Sequence, residues 1–280
     1  MPAYVLSETI YSAVALLAAF TLQLAVDRSA ESTRAGGRRP WIPASAAGAL
    51  TGIAVLVRPA MLFFLALAFV WLLVRRRTAL ALLFVAATTL SVAPWTLRNA
   101  RVHGRFVLVA SEGGVTFWTG NHPLARGEGD LAANPELKRD ELRFRQAHPG
   151  LTPEQLEPLY YRDALRWIAD NPGQWFVLLL RKLFYTVVPV GPSYTLHSTR
   201  YWAASVLSYL LVLFFAVVGF RRLWLAEQRP SAVLLLGASA VLAGLVFFPQ
   251  ERFRIPVIDP VLIIAAAAVA ATRTERGALA

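Results

Sequence analysis

"GALTGIAVLVRPAMLFFLALAFVWLLVRRR", residues 48–77, holds two long apolar runs divided by Arg58-Pro59 and closed by three consecutive arginines. A hydrocarbon core about 30 Å thick is crossed by roughly 20 helical residues. Proline lacks the N–H that would carry a helix onward, so the stretch reads as two helices joined by a tight turn rather than as one long one. The arginine triplet then marks the point where the second helix leaves the apolar phase.

The same pattern recurs along the chain. Candidate spans are Tyr4–Val26, Trp41–Val57, Ala60–Val74, Thr78–Pro94, Tyr201–Phe220, Ser231–Phe248 and Val257–Thr272. Of the 280 residues, 56% are hydrophobic and only 16% charged, a balance too apolar for an ordinary soluble domain. The expected fold is therefore an all-α polytopic membrane protein of about seven spans, carrying a small extracytoplasmic α+β insert. Its expected division is 1–94 and 201–280 as membrane helices, with the insert at 95–200.

There is no cysteine, which excludes disulfides, thiolate metal sites and cysteine nucleophiles. The four histidines, His103, His122, His148 and His197, are too scattered to suggest a metal site. No metal or cofactor is expected. The net charge of +11 comes from arginines at the ends of apolar runs, where lipid head groups rather than nucleic acid are the expected partners.

Those arginines also orient the chain. Arg28, Arg34, Arg38 and Arg39 follow the first span, Arg75–Arg77 the third, Arg221, Arg222 and Arg229 the fifth, and Arg273 and Arg276 the last. The positive-inside rule places these connections in the cytoplasm. Alternation then puts the opening stretch, Arg58, the insert at 95–200 and the turn within 249–260 outside, with the chain in the inner (plasma) membrane of a bacterial cell envelope.

Residues 173–190, "GQWFVLLLRKLFYTVVPV", interrupt the pattern, because Arg181-Lys182 sits at the centre of an apolar run. Crossing the bilayer here would invert the side of every later loop, so the segment is read as an interfacial or re-entrant helix. Within the insert, "RFVLVA" and "VTFW" around "SEGG" suggest a β-hairpin. Thr152, Pro153 and Gln155 form a helix-start signature, with a capping box from Thr152 to Gln155, and Asn171-Pro172-Gly173 supply a stop.

Several polar residues stand where charge is costly. Arg58, at an external helix junction, suits bidentate recognition of a phosphate, or simply snorkels to the interface. In "PQERFRIPVIDP", 249–260, Arg252 and Arg254 present positive charge that Glu251 would hold in place, and Pro256 and Pro260 stiffen the turn. Glu8 is a carboxylate within an apolar run, read as an ion-pair partner that orients an arginine such as Arg58. Asp259 is a helix-start charge or a partner for Arg254. Trp118, Asn121 and His122, with Trp95, Arg98 and Asn99, offer indoles and amides suited to a sugar or acceptor surface, although Trp also belongs to ordinary interface belts.

Five stretches, "SETIY" (7–11), "GALTGIAVLVRPAMLF" (48–63), "APWTLRNARVHGRFVLVASEGGVTFWTGNHPLARG" (93–127), "ADNPGQWFVLLLRKL" (169–183) and "ERFRIPVIDP" (251–260), occur in the order seen in GT-C glycosyltransferases. Together they resemble the bacterial family 39 group, which includes protein O-mannosyltransferases and lipid A aminoarabinose transferases. The resemblance implies a polyprenyl-phosphate-linked sugar as donor, transfer outside the cytoplasm, and a protein, lipid or glycan acceptor.

It also implies an acidic catalytic base on a first external loop, and the matching stretch begins downstream of that loop, at "SET". No residue is therefore assigned as catalytic. The departure predicts a start upstream of Met1, or a shortened homologue that works with a partner or no longer catalyses. A transporter or flippase of lipid-linked intermediates, or an assembly subunit, remain the competing readings.

Overall fold

The computed structural model describes residues 2–35, 39–129, 131–188, 198–225, 231–250 and 254–277. Among them the regular structure is entirely helical: α1 (Pro2–Ala35), α2 (Trp41–Val57), α3 (Met61–Val74), α4 (Thr78–His103), α5 (Gly113–Gly120), α6 (Pro135–Gln146), α7 (Pro153–Asp170), α8 (Pro172–Val187), α9 (Thr199–Leu225), α10 (Ser231–Val246) and α11 (Ile258–Gly277). Each of the seven apolar runs lies on a helix. Three stretches, Ser7–Ala30, Thr78–His103 and Thr199–Leu225, are long and apolar enough to cross a membrane; Trp41–Val57, Met61–Val74, Ser231–Val246 and Ile258–Val269 are shorter apolar helices.

Two compact units emerge, one formed by Met1–Val109, Val212–Ala240 and Ile255–Ala280, the other by Ala110–Leu211 and Val241–Arg254. The core of the first is rich in small side chains. Ala15, Ala18, Ala19 and Leu22 of α1 repeat at helical spacing, as do Met61, Phe64, Ala68 and Leu72 of α3, and all are fully buried. Between apolar helices, small residues allow the close backbone approach that gives dispersion its strength.

The α2–α4 contact is the clearest case. A Cβ at Gly52 would stand 2.5 Å from Ser91 Cβ and 2.8 Å from the Thr88 carbonyl, and one at Gly48 would meet Ala87 Cβ at 2.8 Å. The Thr88 hydroxyl donates to the Gly48 carbonyl across the same seam at 3.0 Å. Gly52→Leu is therefore expected to force the two helices apart, costing about 1–3 kcal/mol. The check is a lowered midpoint in thermal unfolding of the detergent-solubilised protein.

Helix ends follow local chemistry. Arg58, preceding proline, is extended at φ −144°, ψ 114°, and ends α2. After α3, Arg76 takes a left-handed conformation at φ 57°, while the Arg76 and Arg77 N–H groups donate to the Leu73 and Leu72 carbonyls. This is a Schellman closure in which arginine occupies the position that usually favours glycine. Helix α4 runs through Pro94 to His103 and stops at Gly104, which is left-handed at φ 63°.

The expected hairpin is not formed. Residues 105–109 run irregularly beside the end of α4, and its side chains take the carbonyls that a strand ladder would use. Thr96 Oγ1 donates to Leu108 at 2.8 Å, Trp95 Nε1 to Val109 at 3.1 Å, and Asn99 Nδ2 to Val107 at 3.3 Å and Val109 at 3.1 Å. "VTFW" lies in helix α5, which packs on α7. The α+β insert thus becomes a helical one across its described residues.

The second unit packs Trp118, Leu137, Leu156, Tyr160 and Ala164 into one core. Helix α7 starts as its signature predicts, with the Thr152 N–H donating to Gln155 Oε1 at 2.9 Å. It ends at Asp170, and Pro172 opens α8 directly.

Candidate functional site

In the first unit, α1 and α2 lie side by side, which brings together two residues fifty positions apart. Arg58 Nη2 donates to Glu8 Oε1 at 2.7 Å, and the guanidinium carbon stands 5.7 Å from the centre of the Tyr11 ring. The pair is half-buried, with side-chain exposures of 18% and 21%. The carboxylate and the aromatic face fix the plane of the guanidinium at the break between two apolar helices.

Trp95, Arg98 and Asn99 share α4. The Arg98 guanidinium stacks on Trp95 at 4.9 Å, and Asn99 is buried with its amide committed to the backbone of 107–109. Asn99 thus pins a chain segment rather than offering a binding surface, while Trp95 and Arg98 remain exposed.

In the second unit, Trp118 and Asn121 are each 1% exposed, which corrects the expectation that they offer a sugar-stacking surface. The indole is a core element that donates to Asp163 Oδ2 at 2.7 Å. Asn121 is a four-way junction. Its Nδ2 donates to the Phe117 and Val246 carbonyls at 2.8 and 2.9 Å, while Oδ1 accepts from Trp175 Nε1 and Lys182 Nζ, both at 3.0 Å.

Lys182 Nζ also donates to the Leu245 carbonyl at 3.0 Å. The last turn of α10 leaves carbonyls without partners in their own helix, and Asn121 and Lys182 satisfy two of them. Gly120 permits this approach, since a Cβ there would collide with the Phe247 carbonyl. Sequence reading treated Lys182 only as a charge too costly for mid-bilayer; the missed signal was its i, i+4 spacing with Leu178 and Thr186, the other buried residues of α8.

Burial without a carboxylate partner lowers the Lys182 pKa to about 7 from its ordinary 10.5. Above the folded value, the unfolded chain binds the extra proton and the folded chain does not. Stability is therefore expected to rise with pH between about 7 and 10. Lys182→Met should flatten that slope, which denaturant titrations of the two proteins across this window would reveal.

His122 caps the group. Its Nδ1 accepts from the Leu124 N–H at 3.2 Å, so Nε2 carries the proton and faces Asp140 Oδ2 at 3.2 Å. Burial lowers its pKa, against the opposing pull of Asp140 and Asp163. One edge of the ring borders a cleft of about 240 Å³, lined also by Trp167, Gln174 and Arg181.

Arg254, expected to face a phosphate, is 7% exposed with its guanidinium 4.2 Å from the Tyr209 ring centre, a packed rather than an outward-facing cation. Glu251 and Arg252 lie outside the described residues. Asp259 occupies the first turn of α11, where an acid favours the helix dipole. No family model, curated protein or solved structure matches the chain.

Proposed function

We propose that the chain is a membrane-embedded glycosyltransferase, or part of one, that moves a sugar from a polyprenyl-phosphate donor to an acceptor on the extracytoplasmic face. The supporting observation is Arg58, a guanidinium fixed by Glu8 and Tyr11 at the Pro59 break between apolar helices. The resemblance of five ordered stretches to family 39 sequences points the same way. In this reading all seven apolar helices span the bilayer and α8 lies at its surface.

Transfer would break the bond between the anomeric carbon and the phosphate oxygen while the acceptor hydroxyl oxygen attacks that carbon. The acceptor proton passes to a base, to which no residue of this chain is assigned. The phosphate departs with growing negative charge, and Arg58 stabilises it more in the transition state than in the bound donor.

The test is release of polyprenyl phosphate, or binding of a polyprenyl-phosphate sugar, by the purified protein in nanodiscs. Neither release nor binding with any sugar tried would sink the reading. The proposed side is checked separately. Because the chain has no cysteine, Ser111→Cys should be labelled in intact cells by a membrane-impermeant maleimide. Labelling only after lysis would reverse the orientation.

A further inference from the structure

Helix α8 turns its apolar side outward. At about 100° per residue, Leu178, Lys182 and Thr186 share one face and are buried. Phe176, Leu180, Leu183, Phe184 and Val187 surround the opposite face and are 39–60% exposed. A helix that hides its lysine and displays its phenylalanines and leucines is arranged for an apolar solvent.

Arg181 falls on neither face. It lies about 100° from Lys182, on the flank shared with Gln174 and Val177, and that flank forms one wall of the cleft beside His122 and Trp167. A permanently charged, exposed guanidinium thus borders a small cleft of mixed polar and apolar lining at the edge of an exposed apolar stripe. Asp140, the acid that faces His122 at 3.2 Å, is also engaged by Arg143 at 3.7 Å. No acid among the described residues forms an ion pair with Arg181.

We propose that this cleft binds the phosphate head group of an anionic membrane lipid through Arg181, with the acyl chains lying against the outward face of α8. The chemistry of the two surfaces meets at one ligand. Arg181 offers the planar N–H fork that matches phosphate oxygens, Gln174 adds an amide, and Trp167 contributes an indole of the kind that prefers the head-group zone. Phe184 and Val177 carry the apolar stripe up to the rim. A free phosphate would use the recess and leave the adjoining stripe unexplained. This site shares no residue with the Arg58 pair and does not rest on the transferase reading.

The test uses the full chain in nanodiscs of phosphatidylcholine with or without phosphatidylglycerol, reading retained lipid by native mass spectrometry after transfer to detergent. Wild type should retain phosphatidylglycerol preferentially. Arg181→Ala should weaken that retention roughly tenfold, the scale of a charge-assisted contact, while Lys138→Ala, exposed on α6, should not. Equal retention by wild type and Arg181→Ala would overturn the proposal, as would displacement of the lipid by millimolar inorganic phosphate.

Spin labels at Leu180→Cys and Phe184→Cys give a second readout, because the chain has no other cysteine. Both should be accessible to oxygen and shielded from a water-soluble nickel chelate. Accessibility to the chelate, or shielding from both reagents by a protein partner, would also overturn it.

Discussion

Arg58→Ala is expected to lower sugar transfer from a polyprenyl-phosphate donor by at least ~10²-fold, the usual loss when one donor to a developing anion is removed. Protein abundance should remain unchanged. On the proposed transferase function, the guanidinium stands at an apolar helix junction where a departing phosphate would have little water to stabilise it and a fixed cation would count for more. Lysine at this position keeps the charge and loses the fork, so Arg58→Lys should recover activity only in part.

A purely structural role for Arg58 makes a different forecast. Its removal leaves the Glu8 carboxylate half-buried without its 2.7 Å partner, and that alone could disable a membrane protein. The double variant Glu8→Gln/Arg58→Ala separates the cases, since it removes both charges. If the pair only holds α1 to α2, the double variant should regain stability and activity together. If Arg58 acts on phosphate, stability returns and transfer does not. Full activity in Arg58→Ala would end the phosphate reading.

Asn121→Leu is expected to be the most damaging single change to the second unit. One amide meets four partners there: the Phe117 and Val246 carbonyls, the Trp175 indole and the Lys182 ammonium. Leucine has the same branched heavy-atom skeleton and is no smaller, so little of the cost comes from a cavity. The cost lies in stranding polar groups, above all a lysine with no exposed surface, and is about 3–5 kcal/mol. The apparent Tm in detergent should fall by on the order of 10 °C. Asn121→Asp keeps the oxygens facing Lys182 and Trp175 but loses both N–H donors, and should lie between wild type and Asn121→Leu. An unchanged Tm for Asn121→Leu would show that the junction carries no stability.

Much of the helical layout was legible along the chain. Trp41–Val57 was read with both ends correct, because the Arg58-Pro59 break and the apolar run are local signals. The Thr152–Gln155 capping box and the Pro172 boundary were legible for the same reason. The 105–109 segment was misread because its carbonyls are satisfied by Trp95, Thr96 and Asn99, one helix earlier, and strand propensity carries no information about that competitor. Trp118 has the composition of a carbohydrate platform in sequence and the surroundings of a core residue in space.

The chain's composition and punctuation by themselves determined that it carries helices apolar enough for a membrane, and that Glu8, Arg58 and Lys182 stand where charge is expensive. Tertiary structure alone decided what relieves each of them. Glu8 meets Arg58 across α1 and α2, while Lys182 turns inward to Asn121 and the end of α10, and Arg181 beside it turns to a cleft. Adjacent residues on a helix differ by about 100° in direction, so neighbouring positions in sequence leave the two basic side chains in different surroundings.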